Sequence, residues 1–165
     1  MKYEDIRHEI KSLDVLGYSE SGPWNSWRNI QLNLVKMGTM SEYNHVGLAY
    51  VIGGRVFVIE AVVPYIRIYP LSRELPFFWI PTPYKLDDSA EEKLLEKVGL
   101  PYSKWEAIKA LFTTETDSDK VWECAKLVNK VLVQYDKNFE LLHDTPSDTI
   151  RYLTQELEFP ITYVE

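Results

Sequence analysis

The 165-residue chain has a single cysteine, Cys124, and fewer basic than acidic residues. One cysteine excludes an internal disulfide framework and any zinc site built from several cysteines. The 18 Lys and Arg residues face 25 Asp and Glu residues, so the formal net charge is -7, and the basic residues form no cluster. Neither a nucleic acid nor an anionic membrane surface is therefore expected as a partner.

Long apolar runs are also missing from the sequence. No stretch reaches the roughly 18 consecutive apolar residues that a membrane-spanning helix needs, and residues 1–5 do not resemble the start of a signal peptide. The hydrophobic content of 45% and the length suit one domain over residues 1–165, large enough to bury a core. We therefore expect a cytoplasmic protein without an integral membrane segment.

The spacing of apolar residues divides the chain into three parts. Residues 1–40 show helical spacing over 3–16 and 24–37, with a loop-like stretch over 18–23 between them, and predict a helical N-terminal segment. Residues 44–81 contain runs of β-branched and aromatic residues punctuated by prolines, which predicts short antiparallel strands at 45–52, 55–61, 65–69 and 77–80. Residues 88–158 return to helical spacing, with one helix over 89–98 that closes at Gly99 and another that Thr145 caps, and residues 160–164 favour a last strand. Helix-rich ends around a short antiparallel sheet predict the α+β class.

Two of the predicted helices bear on the fold and on the site. Apolar residues recur at helical spacing over residues 3–16 and predict a helix that ends at Gly17. A longer helix is predicted over residues 119–133, with Cys124 beside its apolar stripe. A start at the first of these residues puts Cys124 in the second turn, where the helix dipole has faded. A start near Trp122 puts the thiol where free backbone N–H groups favour a thiolate.

The strongest hairpin signal is the glycine pair Gly53-Gly54 between two β-branched and aromatic runs. With a two-residue loop, His45 and Glu60 lie on one face of the sheet as diagonal neighbours, about 7 Å apart at the backbone. Gly47, between them, has no side chain to obstruct their contact. A three-residue loop would instead send Glu60 to the opposite face. The two-residue loop therefore predicts a His–Glu pair.

Such a pair has a catalytic and a structural interpretation. A carboxylate that accepts the imidazole N–H fixes the tautomer of His45 and favours its protonated form, as the third member of a catalytic triad does. Glu60 and His45 can equally be a satisfied pair at the edge of a sheet. A metal site is less favoured, because the two residues supply two ligands and the chain offers no obvious third.

Four segments in this order resemble the circularly permuted branch of the NlpC-type, papain-like cysteine hydrolases. In that family a histidine begins one strand, an acid lies on the next, and a cysteine heads a helix. The matching segments are NHVGLAYV (44–51), RVFVIEA (55–61), GLPYSKW (99–105) and WECAKLVNKVL (122–132). The resemblance covers about residues 44–135. It implies a permuted papain-like fold, with a short antiparallel sheet packed against helices.

The resemblance also implies roles for individual residues. Cys124 is the nucleophile, His45 the general base and later the general acid, and Glu60 the group that orients His45. Tyr102 lies near the substrate cleft or packs in the core. The implied activity is that of a thiol hydrolase that cleaves an amide or ester bond through a thioester, with a peptidoglycan peptide as one candidate substrate. Neither a metal nor an organic cofactor is expected.

Two alternatives remain for the function. A lipid-acyl hydrolase or transferase on the same fold needs an apolar groove, for which the candidates are Trp24, Trp27, Phe77, Phe78 and Trp79. A non-catalytic binding module would instead bury Cys124 and keep His45 and Glu60 as a structural pair. The other two histidines, His8 and His143, are expected to be solvated surface groups.

Overall fold

The computed structural model of the chain describes residues 1–19, 43–62, 64–101 and 124–165. These residues form a six-stranded antiparallel sheet with the strand order β4-β3-β2-β1-β5-β6. In chain order the strands are β1 (Val15–Tyr18), β2 (His45–Ile52), β3 (Arg55–Val62), β4 (Tyr65–Pro70), β5 (Phe77–Ile80) and β6 (Thr162–Val164).

Helices in the described ranges are short and lie mainly in the C-terminal half. They are α1 (Tyr3–Ile6), α2 (Asp88–Leu95), α3 (Cys124–Leu132) and α4 (Pro146–Arg151), with 3-10 turns at Leu71–Arg73 and Lys137–Leu141 and a π-helical segment at Tyr152–Glu156. The predicted α+β class is therefore confirmed. Within the described ranges, no helix combines the length and the apolar character that crossing a bilayer requires.

The predicted two-residue hairpin is present between β2 and β3. Ile52 lies opposite Arg55, and this register continues to the pair of Leu48 and Ile59. Gly53 and Gly54 have φ angles of 58° and 73°. Two consecutive positive φ angles match the twist of the strands, and glycine adopts them without steric cost. The hairpin therefore puts His45 and Glu60 on the same face of the sheet.

The helix predicted over residues 3–16 is wrong. Helix α1 ends at Ile6, and residues 15–18 form β1 between β2 and β5. All four residues of this strand are buried, so its sequence lacks the alternation that marks a strand with one exposed face. Gly17, the predicted helix end, pairs with Val46 inside the sheet. The predicted helical character of residues 1–40 fails here, and the helix predicted over 24–37 lies outside the described residues.

The predictions for the rest of the chain agree better with the structure. The helix predicted to close at Gly99 is present as α2, although it ends earlier, at Leu95. Thr145 caps α4 by accepting a hydrogen bond from the backbone N–H of Asp148, and Pro146 occupies the first turn. The strand predicted at the C-terminal end is β6. Most elements after the hairpin were thus recognisable from local signals.

The two faces of the sheet pack against different parts of the chain. One face buries Leu48 and Ile59 against α3 and α4, represented by Leu127 and Ile150. The opposite face buries its apolar residues against the N-terminal segment, with Tyr3, Ile6 and Ile10 at the contact. Because both faces are covered, the central strands β1, β2 and β3 hold side chains that are shielded from water.

Candidate functional site

The candidate site begins with the direct contact of His45 and Glu60. His45 is the first residue of β2, and its Nε2 lies 2.6 Å from Oε2 of Glu60 on β3. The two side chains are 1% and 0% exposed. A Cβ added to Gly47 would lie 3.3 Å from Cβ of Glu60 and 2.7 Å from Cγ2 of Val58. The absence of a side chain at Gly47 therefore leaves room for Glu60 beside His45, as the sequence predicts.

Glu60 is held from its other side by Arg67, which lies directly opposite it on β4. Nε and Nη2 of Arg67 donate to Oε1 of Glu60 at 2.9 and 2.6 Å. Nη2 also donates to Oε1 of Glu74 at 2.9 Å. Each oxygen of Glu60 thus has its own partner: Oε1 accepts from Arg67, and Oε2 faces His45.

Arg67 was not identified from the sequence, although a signal for it exists. Local signals predict a strand over residues 65–69, but they do not determine its pairing with β3. Glu60 and Arg67 are opposite charges seven residues apart on consecutive strands. Opposite charges that face each other across an antiparallel pair are a favourable combination. Aligning the two strands about their connection would have brought Arg67 to the site.

Cys124 approaches the same imidazole from α3 and is 7% exposed. Burial lowers the pKa of His45, but the charge and hydrogen bonding of Cys124 and Glu60 outweigh burial and raise that pKa from 6.5 to about 9. Because Nε2 of His45 faces Glu60, Nδ1 is the nitrogen left for the sulfur. His45 is therefore an imidazolium at neutral pH, with the carboxylate of Glu60 on one side and the sulfur of Cys124 on the other.

The structure describes α3 from Cys124 onward. The residues before Cys124 lie outside the described ranges, so the two helix starts considered from the sequence, Asp119 and a residue near Trp122, stay predictions.

The charge state of Glu60 follows from its two cationic partners. Burial raises the pKa of this carboxyl, but the hydrogen bond and the charge of His45, together with those of Arg67, lower it to about 2. Glu60 therefore stays ionised across the physiological pH range. A buried carboxylate next to an imidazolium can orient the ring and stabilise its positive charge.

Strand β1 contributes a side chain that the sequence did not reveal as part of the site. Tyr18 pairs with His45 across β1 and β2, and the centroids of the two rings lie 5.5 Å apart. Next to His45, Asn44 is also buried, and its backbone N–H donates to the carbonyl of Tyr18. The sequence predicts a loop over residues 18–23 and therefore does not mark Tyr18 as a strand residue beside His45. Its packing restricts the movement of the imidazole.

The other residues considered from the sequence lie elsewhere. Tyr102 lies outside the described residues, as do the two tryptophans before residue 40. Phe77 and Trp79 are buried, 1% and 8% exposed, although Trp79 also lines a small surface pocket together with Asp14 and Thr82. The side chain of His8 is 72% exposed, and His143 is exposed, so both are surface groups, as expected.

The described part of the chain holds no group of three or more His, Cys, Asp or Glu side chains placed to bind a metal ion. At the candidate site both oxygens of Glu60 already accept hydrogen bonds from protein groups. A protonated His45 has no free lone pair for a metal. The arrangement is suited to proton transfer between a thiol and an imidazole.

The fold and the site together define an α+β protein with a buried Cys, His and Glu set. No protein-family model matches the chain, and no curated protein matches it. Among solved structures the chain is similar to metalloprotein yiiX from Escherichia coli O157:H7, DUF1105. The TM-score is 0.52, with 18% sequence identity over 78% of this chain and 67% of that chain. This similarity concerns the fold alone.

Proposed function

We propose that the protein is a cysteine-dependent hydrolase with a permuted papain-like fold. In this proposal Cys124 is the nucleophile, His45 is the general base and acid, and Glu60 orients His45. The observation that carries the proposal is the buried contact of 2.6 Å between His45 and Glu60, on an imidazole that also interacts with the chain's only cysteine. A nucleophile, a base and an orienting group are the set that nucleophilic catalysis requires.

The proposed reaction is acyl transfer through a thioester. The proton of Cys124 resides on His45 before the reaction, and the thiolate attacks the carbonyl carbon of an amide or ester. The imidazolium gives its proton to the leaving amine or alcohol as the carbonyl re-forms. Water then attacks the thioester while His45 takes up its proton, and the carboxylic acid leaves from the sulfur. The imidazolium and thiolate are then restored, and neither metal nor organic cofactor takes part.

The burial of the charges favours a chemical role over a structural one. Removing His45 and Glu60 from water costs several kcal/mol per ion, and an apolar pair of similar volume often stabilises a core as well or better. Charged groups in this position therefore contribute little extra to the stability of the fold compared with an apolar pair, so a purely structural role does not explain them. Perturbed pKa values with specific charged partners are typical of functional sites.

The proposed substrate is a small peptide or acyl compound with an amide bond, such as a cell-wall peptide. A lipid-acyl substrate is the second candidate, and the burial of Phe77 removes one side chain from the groove it would need. A metal-dependent role, which the similarity to the metalloprotein yiiX suggests, fits poorly, because both oxygens of Glu60 are engaged by His45 and Arg67.

The proposal is tested by the reactivity of the thiol in the native protein. A single cysteine means that the rate of iodoacetamide labelling, followed by intact mass, reports Cys124 alone. We expect the wild type to be labelled about 10²-fold faster than His45→Ala at neutral pH. The exposed His143 provides the matched control, and His143→Ala should react as the wild type does.

Labelling only after denaturation, or equal rates in the wild type and His45→Ala, would favour the binding module over the hydrolase. Activity-based peptide amide and acyl ester probes then distinguish the two substrate classes by which of them Cys124 traps. Adding a chelator should leave the labelling rate unchanged.

A further inference from the structure

A fourth side chain, that of Arg67, is built into the candidate site. We propose that Arg67 is a positioning residue that acts through Glu60 on His45, by holding Oε1 of the carboxylate so that Oε2 faces the imidazole. This inference rests on the proposed function and deepens it. It concerns a residue that contacts neither the sulfur nor a bond that the reaction breaks.

The hydrogen bonds fix the orientation of the carboxylate of Glu60. Arg67 uses two nitrogens on the same oxygen, Nε at 2.9 Å and Nη2 at 2.6 Å, and His45 lies 2.6 Å from the other oxygen. Rotation of the carboxylate about its terminal bond would break both sets of contacts together. The guanidinium therefore restricts the carboxylate of Glu60 to the orientation that contacts the imidazole.

The guanidinium of Arg67 is itself held on two further sides. Its Nη2 donates to Glu74, which is 5% exposed. Its Cζ lies 4.3 Å from the ring centroid of Tyr69, a cation–π arrangement. The side chain of Arg67 is 34% exposed, so its charge is partly solvated. A planar group fixed from several sides loses little entropy when it orients a carboxylate, which a flexible lysine would not match.

The charges around Glu60 balance only when Arg67 is included. Glu60 contacts His45, which lies on β2, and Arg67, which lies on β4. Cys124 on α3 interacts with His45, and Glu74, after the 3-10 turn, accepts from Arg67. Two carboxylates, Glu60 and Glu74, face two cations, His45 and Arg67, so removing the guanidinium leaves one more negative than positive charge among these side chains. The guanidinium supplies the missing positive charge and keeps Glu60 ionised.

Two readouts test the role of Arg67. The first is the pH dependence of iodoacetamide labelling at Cys124, and the second is the titration of the Glu60 carboxyl carbon by NMR. In Arg67→Gln we expect the midpoint pH of the Glu60 titration to rise by about 1 pH unit. The acid limb of the labelling profile, in which the labelling rate of Cys124 increases with pH, should shift upward by the same amount. On the acid limb such a shift means a labelling rate about tenfold lower at fixed pH. Removing a positive charge destabilises the carboxylate, so the sign is upward.

Two further variants separate charge from geometry. Arg67→Lys keeps the positive charge without the planar two-nitrogen contact, so the Glu60 midpoint should stay near that of the wild type while labelling slows. Arg55→Gln removes an exposed arginine from the far end of the same strand as Glu60 and should change neither readout. Circular dichroism shows whether each variant is folded. If Arg67→Gln does not fold, Arg67→Lys still tests the role of Arg67.

The outcomes keep the two proposals apart. A Glu60 midpoint and an acid limb that do not move in Arg67→Gln would overturn the role of Arg67, even if labelling depends on His45. Labelling that does not depend on His45 would overturn the proposed hydrolase, and the Glu60 titration would still decide whether Arg67 controls that carboxylate.

Discussion

Two buried carboxylates in this protein, Asp14 and Glu60, have opposite electrostatic surroundings. They are 1% and 0% exposed. Asp14 accepts hydrogen bonds from the backbone N–H groups of Lys11 and Thr82 at 2.9 and 3.0 Å and from Nε1 of Trp79 at 2.8 Å. Burial outweighs these donors and raises the pKa of Asp14. At Glu60, the cationic partners outweigh burial and lower the pKa to about 2.

The comparison shows what mainly neutral donors provide for a buried acid. Neutral donors satisfy the oxygens of Asp14 and the charge of Lys11 adds a smaller contribution, but together they do not replace the hydration of a full negative charge. Asp14 therefore links the start of β1 to the end of β5 as part of the scaffold. The two cations beside Glu60 compensate its charge, so that it can act on His45. Substitutions of the two acids and of their neighbours test whether Asp14 is structural and Glu60 acts on His45.

The largest effect is expected from Glu60→Gln. A neutral amide can neither raise the pKa of His45 by its charge nor accept from both His45 and Arg67 as a carboxylate does. We expect the labelling rate of Cys124 at neutral pH to fall by about 10²-fold. The matched variant is Asp14→Asn, an equally buried acid changed in the same way, which should leave that rate unchanged. Equal losses in the two variants would mean that the structure, and not the charge at Glu60, controls the thiol.

Gly47→Ala should affect both stability and reactivity. The new methyl would lie 2.7 Å from Cγ2 of Val58 and close to Glu60, so something must shift, at a cost of about 1–3 kcal/mol in the free energy of unfolding. Gly17→Ala is the control, because its Cβ would lie 2.6 Å from Cδ1 of Ile150, on the helix-covered face. Urea unfolding should show similar losses for both variants, whereas only Gly47→Ala should slow labelling of Cys124. If both slow it alike, the contact with Glu60 is not the cause.

The smallest effects are the pH dependences of stability, which should have opposite signs for the two acids. The pKa of folded Asp14 is raised, so its contribution to stability grows as the pH falls. The pKa of folded Glu60 is lowered, so its contribution is present above about 4.5 and is lost as the pH falls toward about 2. Urea unfolding can be followed between roughly pH 6 and pH 2.5, the acid range of these groups. As the pH falls, the free energy of unfolding of the wild type should rise relative to that of Asp14→Asn and fall relative to that of Glu60→Gln.

The alkaline side tests the third partner of this network. The pKa of folded His45 is raised to about 9, so its contribution to stability is complete below 6.5 and is lost as the pH rises through about 9. The free energy of unfolding of the wild type should fall over this interval, and that of His45→Ala should not show this component. Identical curves would mean that His45 is not protonated in the folded protein at neutral pH.

The fold was predictable where local chemistry determines the backbone. The pair Gly53-Gly54 predicts a tight hairpin because glycine alone adopts two positive φ angles without strain, and the register follows from the loop length. Strand β1 was not predictable in the same way. Its four residues are buried on both faces, and a short apolar run looks alike in a helix and in a covered strand.

Local sequence signals likewise predict only some of the residues of the candidate site. The two-residue hairpin predicts the contact of His45 and Glu60, and Cys124 is the only cysteine of the chain. Tyr18 and Arg67 lie on strands whose pairing the sequence does not determine, so local signals do not place them at the site. The position of Tyr102 stays a prediction.

By itself, the sequence determined the hairpin, the face shared by His45 and Glu60, and the identity of the only thiol, because turn geometry and the two-residue period of a strand act over a few residues. Only the tertiary structure decided that α3 brings Cys124 to the same imidazole, that Arg67 takes one oxygen of Glu60, and that both cations keep this acid ionised. Desolvation and charge pairing depend on every element that packs around a group, and those elements come from distant parts of the chain.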